Sequence, residues 1–131
     1  MSPPRWAELP VFVYGTLRRQ SPHPLARRLA DEGRYLGEAR CQGQLYRVAH
    51  YPGWVPGPGW VTGELYRLSP ALLAALDSYE ECGPGFSEPW EYRRERHQVW
   101  LGKEAHLAFI YRYNRPTGSL TLLGSGDFFL T

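Results

Sequence analysis

Four stretches of this chain alternate in the two-residue rhythm of a strand, and that alternation limits the fold more than any other feature. They are Tyr35–Arg47, Trp60–Leu68, Tyr92–Leu101 and Glu104–Asn114. In the second, Val61, Gly63 and Leu65 alternate with Thr62, Glu64 and Tyr66. A strand of this kind must hide one face. Val11-Phe12-Val13 adds a short, wholly apolar strand. Gly102 lies between the last two stretches and predicts a hairpin. Isolated glycines inside strands, Gly43 and Gly63, predict bends or bulges of a small, curled sheet.

Helices are fewer and sit between the strands. Ser69 is a good N-cap, Pro70 suits the first turn, and Leu72, Leu73, Leu76 and Tyr79 recur at helical spacing. Gly83-Pro84-Gly85 is read as its breaker. A shorter helix is expected over 22–30, capped by Ser21, with Leu25 and Leu29 toward the core. Three prolines and three glycines in Tyr51–Gly59 predict a loop without regular structure. The pattern is α+β: a small mixed β-barrel with flanking short helices. The 131 residues fit one domain, with 1–9 a frayed lead-in.

Composition excludes several classes. Charged residues make up 21% against 43% hydrophobic, so the chain can build a core. A net charge of +2 gives no electrostatic case for nucleic acid or a membrane surface. Arg93, Arg94 and Arg96 are split between strand faces and diluted by Glu91 and Glu95. Cys41 and Cys82 form no metal-binding pattern and are expected as reduced thiols. No long apolar run opens the chain or spans a bilayer, and the cytoplasm is the expected compartment. The oligomeric state is not legible.

Two segments carry chemistry. Tyr14-Gly15-Thr16-Leu17 ends the first strand, where glycine lets the backbone come close and several N–H groups can face an anion. Alone, it reads first as an ordinary strand-to-loop turn. Asp77, Glu80 and Glu81 crowd the end of the central helix, where the macrodipole disfavours negative charge. As a continued helix, Asp77 and Glu81 share a face and Glu80 points elsewhere. Alone, this is a solvated acidic end.

Order makes the segments informative together. "FVYGTLR", "PGWVPGPGWVTGELYRL", "LDSYEE", "YRRERHQV", "AFIYRYNRP" and "GSGDF" follow one another between Val11 and Phe128. This succession resembles the gamma-glutamylcyclotransferase-like superfamily, which includes AIG2-like and YtfP-like proteins. The resemblance implies a barrel with a cavity between the Tyr14–Leu17 loop and a glutamate after the helix. It implies cofactor-independent, metal-free cyclisation of a γ-glutamyl amine or peptide to 5-oxoproline. Glu80 matches the acid/base position. Tyr14, Gly15, Thr16 and Leu17 match the substrate loop, and Tyr111 and Tyr113 both fall where a pocket tyrosine is expected. The family often has glycine after the acid, whereas Glu81 stands here, so both glutamates stay open. The segment from Cys82 to Pro89 exceeds a minimal turn and reads as a lid or specificity loop. Some relatives lack the acid, which keeps a non-catalytic small-molecule-binding protein as the alternative.

Overall fold

The computed structural model describes residues 5–83 and 85–130. In chain order it contains β1 (Val11–Val13), α1 (Pro24–Glu32), β2 (Arg34–Arg47), β3 (Pro52–Arg67), α2 (Pro70–Tyr79), β4 (Tyr92–Leu101), β5 (Glu104–Tyr113) and β6 (Thr121–Leu122), with a 3-10 turn at Phe128–Leu130. β1 pairs antiparallel with β3 and parallel with β5. β3 pairs with β2, β2 with β4, and β4 with β5. These pairings return to β1, so the strands form a barrel-like ring, and β6 adds to β2.

Ring closure explains the burial pattern. Phe12 and Tyr14 from β1 and its end join Cys41, Leu45, Trp54, Val61, Leu65, Val99, Ala108 and Ile110 in one cluster. Their neighbours Val11, Val13, Tyr66, Phe109 and Tyr111 join a second cluster with Leu29, Leu72, Leu73 and Leu76 of the helices. Alternation therefore feeds two cores, one enclosed by the strands and one between strands and helices. Both faces of β3 are buried around Gly63–Tyr66, because each meets a different core.

Local chemistry sets the helix ends. Ser69 Oγ accepts from Leu72 N–H at 3.1 Å and caps α2. α1 starts two residues later than expected. His23 Nδ1 accepts from Leu25 N–H at 3.0 Å, and Pro24 takes the first helical position. Ser21 Oγ instead accepts from His23 N–H. Leu29 is buried as expected, and Leu25 packs at the core's edge.

Three expectations need correction. Tyr51–Gly59 is not an irregular loop, since β3 runs from Pro52. The prolines fit because Pro52 opens the strand and Pro56 and Pro58 fall in a register shift, with Gln44 opposite Val55 and Gln42 opposite Trp60. Ladder donors are not needed there. Gly43 marks that bulge as predicted, but Gly63 pairs in register with Ala39. Gly63 is instead a close approach, where a Cβ would strike the Val13 carbonyl and the Phe12 ring. The lead-in is not frayed from Ala7 onward: Ala7 N–H donates to Leu68 O, and Pro10 O accepts from Phe109 N–H. Residues 1–4 lie outside the described part. The hairpin around Gly102 is as predicted, with Leu101 opposite Glu104.

Candidate functional site

The end of β1, the segment after β2 and the end of α2 converge on one cavity of about 220 Å³. Tyr14, Gly15, Thr16 and Leu17 form one wall. Tyr79, Glu80 and Glu81 come from the helix end, and Phe12, Val13, His50, Tyr51, Pro52, Glu91, Tyr92 and Tyr111 complete the lining. The substrate loop and both acids of the sequence reading therefore meet. Tyr111 joins them, and Tyr113 does not. The Tyr113 ring packs against Gly53 and, at 5.6 Å between centroids, against Tyr92. Among the described residues of Cys82–Trp90, none lines the cavity.

Gly15 explains why the first strand ends in tyrosine, glycine and threonine. A Cβ at Gly15 would sit 2.6 Å from Pro52 Cγ and 2.7 Å from Pro52 Cδ. Only glycine lets the loop press against the start of β3. Arg18 N–H then donates to Gly15 O at 3.0 Å and closes a tight turn. The N–H groups of Gly15, Thr16 and Leu17 meet no hydrogen-bond acceptor among the described residues. They are donors in reserve on a cavity wall.

Tyr14 fastens this wall from inside the ring. Its hydroxyl donates to Tyr111 O at 2.6 Å and accepts from Trp54 N–H at 3.2 Å. Burial, followed by the charge of Glu80, holds its pKa well above the ordinary value. The Tyr14→Phe variant is expected to lose about 1–3 kcal/mol of stability, since a buried carbonyl and a buried N–H both lose their partner. Urea denaturation measures it; an unchanged midpoint contradicts the role.

α2 ends one turn sooner than the Gly83-Pro84-Gly85 breaker implies; Pro84 itself lies outside the described residues. Glu80 N–H still donates to Leu76 O, but Glu81 N–H turns back to Ser78 O and Cys82 N–H to Asp77 O. This is a Schellman ending with Glu81 at the left-handed position, φ +53°. The helical geometry that put Asp77 and Glu81 on one face therefore does not persist. Glu81 is exposed at the rim. Glu81→Gly is expected to stabilise the fold by about 0.5–1 kcal/mol, because glycine takes this conformation without a Cβ clash. A thermal melt that falls instead of rising contradicts it.

Glu80 is the perturbed acid. As a residue it is half-buried, yet desolvation is the main force that lifts its carboxyl to about 8. The charges of Glu91 and Asp77 add to the shift. No hydrogen bond or ion pair with described residues holds that carboxyl. The two acids whose charges act on it, by contrast, are tied down. Asp77 accepts from Tyr111 OH at 2.6 Å and pairs with Arg94 at 2.9 Å. Glu91 accepts from Tyr51 OH at 2.8 Å. Tyr92 OH donates to Pro52 O at 2.7 Å, and Thr16 Oγ1 lies 3.1 Å from Tyr79 OH. Burial raises the pKa of Tyr92 and Tyr111 far above the ordinary phenol range, so both remain neutral donors.

The sequence reading missed His50, Tyr51, Tyr79 and Glu91 as lining residues. The available signal was the aromatic content after β2 and before β4, but which aromatic faces the cavity depends on ring closure. Arg94 and Arg96, set aside as a nucleic-acid surface, are paired with Asp77 and Glu8 and stack over Phe109.

Comparison with known proteins agrees with the fold. The family model described as "Gamma-glutamyl cyclotransferase, AIG2-like" matches residues 11–130. The gamma-glutamylcyclotransferase family protein YtfP of Escherichia coli K12 is 38% identical over 118 residues, 89% of this chain and 93% of that protein. The gamma-glutamylaminecyclotransferase of Bos taurus is 32% identical over 105 residues, 70% of this chain and 56% of that protein. The solution NMR structure of Escherichia coli ytfP superposes with a TM-score of 0.65 at 35% identity, covering 91% of this chain and 95% of that one. The crystal structure of an AIG2-like protein from Mus musculus gives 0.63 at 27% identity, covering 79% and 76%. With its motifs, its ring of strands and these matches in agreement, the chain belongs to the AIG2-like gamma-glutamyl cyclotransferase family.

Proposed function

We propose that this protein cyclises a γ-glutamyl amine or peptide, releasing 5-oxoproline and a free amine or amino acid. The observation that carries the reading is the desolvated, untethered carboxyl of Glu80, sharing a small cavity with the unpaired amides of Gly15–Leu17. The naming of the bovine relative as a gamma-glutamylaminecyclotransferase supports the same chemistry.

In such a substrate the α-amine attacks the side-chain carbonyl of its own molecule. Holding the two ends close replaces an encounter between molecules, and the cavity's size suits a folded glutamyl head. Glu80, as carboxylate, takes a proton from the α-ammonium. The new C–N bond then closes the five-membered ring, and the carbonyl oxygen gains charge. The Gly15–Leu17 amides are donors suited to that oxyanion or to the substrate's α-carboxylate. Glu80 returns its proton to the leaving nitrogen as the old C–N bond breaks, and the ring nitrogen's second proton passes to the released amine, which departs as its ammonium form as the lactam forms. A carboxyl at about 8 is well matched to both transfers, since it lies closer to an amine than an ordinary glutamate does.

The test is release of 5-oxoproline from a panel of γ-glutamyl amines, dipeptides and γ-glutamyl-lysine, followed by mass spectrometry. Equimolar 5-oxoproline and free amine are expected from at least one of them. Binding of these compounds without any turnover makes the protein a non-catalytic binder.

A further inference from the structure

Three motifs of the sequence remain outside the cavity: the arginine of "FVYGTLR", the glutamate of "TGELY" and the aspartate of "GSGDF". They come together behind the loop. Arg18 Nε donates to Glu64 Oε2 at 2.9 Å, and Arg18 Nη1 donates to Asp127 Oδ1 at 2.9 Å. Glu64 Oε1 accepts from the backbone N–H of Arg19 at 2.7 Å. Arg18 and Glu64 are each only 5% exposed. The guanidinium also lies 5.2 Å from the Phe129 ring centroid.

We propose that the Arg18–Glu64–Asp127 ion network is a positioning device for the reaction, holding the Gly15–Leu17 amides at their place in the cavity wall. The inference rests on the proposed cyclotransfer and adds residues that never touch the substrate.

The geometry carries it. The loop's last turn is closed by Arg18 N–H on Gly15 O, and the next by Ser21 N–H on Arg18 O at 2.9 Å. Between these turns, one carboxylate grips a side chain and a main-chain N–H of consecutive residues. A bidentate grip of this kind sets the orientation of the peptide planes, not merely their distance. Glu64 sits on β3, in register with Val13, so the grip refers the loop to the same strand that Gly15 touches at Pro52. Asp127 supplies the other side from the C-terminal segment. Its Oδ1 also accepts from Phe129 N–H at 2.9 Å. Gly126 O accepts from Thr62 N–H at 2.8 Å, tying that segment to β3 two residues from Glu64. The three donors are themselves unpaired; the Thr16 Oγ1–Tyr79 OH contact holds the loop on the cavity side, the Tyr14 hydroxyl holds it from inside the ring, and this network holds it from behind. An exposed pair would be too weak and mobile for the task; a buried, hydrogen-bonded one is not.

Asp127 is the residue to change, since its side chain keeps 15% exposure. Asp127→Ala is expected to lower kcat about 10²-fold, as a donor array displaced by about 1 Å would. Asp127→Asn keeps an oxygen for Arg18 Nη1 and Phe129 N–H and is expected to recover most of that loss. The Michaelis constant separates the roles of the amides: it stays near wild type if they serve the oxyanion and rises if they serve the α-carboxylate. Wild-type kcat and KM in folded Asp127→Ala overturn the proposal, as does an equal loss in the Asn and Ala variants. Two-dimensional amide NMR provides a readout that does not need turnover. In Asp127→Ala the Gly15, Thr16 and Leu17 signals are expected to move while those of Leu73 and Val99 stay. Unmoved loop signals overturn the positioning role even if the wild type is active. Moved signals uphold it even if no γ-glutamyl compound is turned over, in which case only the cyclotransfer reading falls.

Discussion

Replacing Glu80 with glutamine is expected to lower kcat for 5-oxoproline release by about 10²–10⁴-fold, with little change in substrate affinity. Glutamine keeps the shape and hydrogen-bonding capacity of the side chain but can neither take a proton from the α-ammonium nor give one to the leaving nitrogen. The proposed binding groups, in contrast, are main-chain amides and tyrosines of the cavity wall, which the substitution leaves in place. The pH profile sharpens the expectation. In the wild type the carboxyl faces Glu91 and Asp77, with Tyr14, Tyr92 and Tyr111 around it, and burial holds its pKa near about 8. Its base form therefore grows as pH rises through that value, and kcat/KM should climb across the same interval. In Glu80→Gln only the limb due to the substrate's own ammonium remains. Stopped assays from pH 6 to 9 measure both. Wild-type turnover by the glutamine variant removes Glu80 from the chemistry. Residual activity that still climbs with the wild-type midpoint transfers the role to another group, and Glu91 is the nearest candidate by its electrostatic effect on Glu80.

What was legible in the sequence was whatever local chemistry decides. Ser69-Pro70 caps a helix using atoms three residues away, and Gly102 turns a hairpin between neighbouring strands. Tyr14–Leu17 and Glu80 could be joined only through the order of several motifs, since either segment alone reads as a turn or an acidic end. Features set by distant partners were misread. The prolines after Tyr51 look incompatible with a strand until Gln42 and Gln44 supply the register shift opposite them. Glu81 looks like a continuation of the helix because nothing in its own chemistry announces a left-handed residue. Tyr111 and Tyr113 are two apart on β5 and so face the same side, yet only Tyr111 reaches the cavity. Its hydroxyl meets Asp77 on α2, while Tyr113 lies further along, against Gly53. That difference is one of position along the ring, which a two-residue period cannot encode.

The same carboxyl that fits the site for proton transfer is expected to weaken the fold at alkaline pH, and Glu80→Gln should relieve that weakness. Glu80 titrates at about 8 in the folded protein, against 4.5 as its ordinary value. Between these values the folded state holds a proton that the unfolded state has released. Stability must then fall as pH rises, by up to about 1.4 kcal/mol per unit. Below the ordinary value both states are protonated and nothing is lost; above about 8 both are ionised and the loss is complete. Because the residue is only half-buried, the full loss is taken as roughly 3 kcal/mol, less than the shift alone implies. Glutamine carries no proton to release. The variant should match the wild type near pH 4.5 and exceed it by roughly 3 kcal/mol at pH 8.5. Urea denaturation at pH 4.5, 6.5 and 8.5 reads the difference directly. Parallel curves for the two proteins place the carboxyl in water, which also removes the reason for its raised pKa. Diverging curves measure how much stability the fold gives up to keep an unpaired acid inside a small cavity, a cost with no structural return and therefore one that points to chemistry.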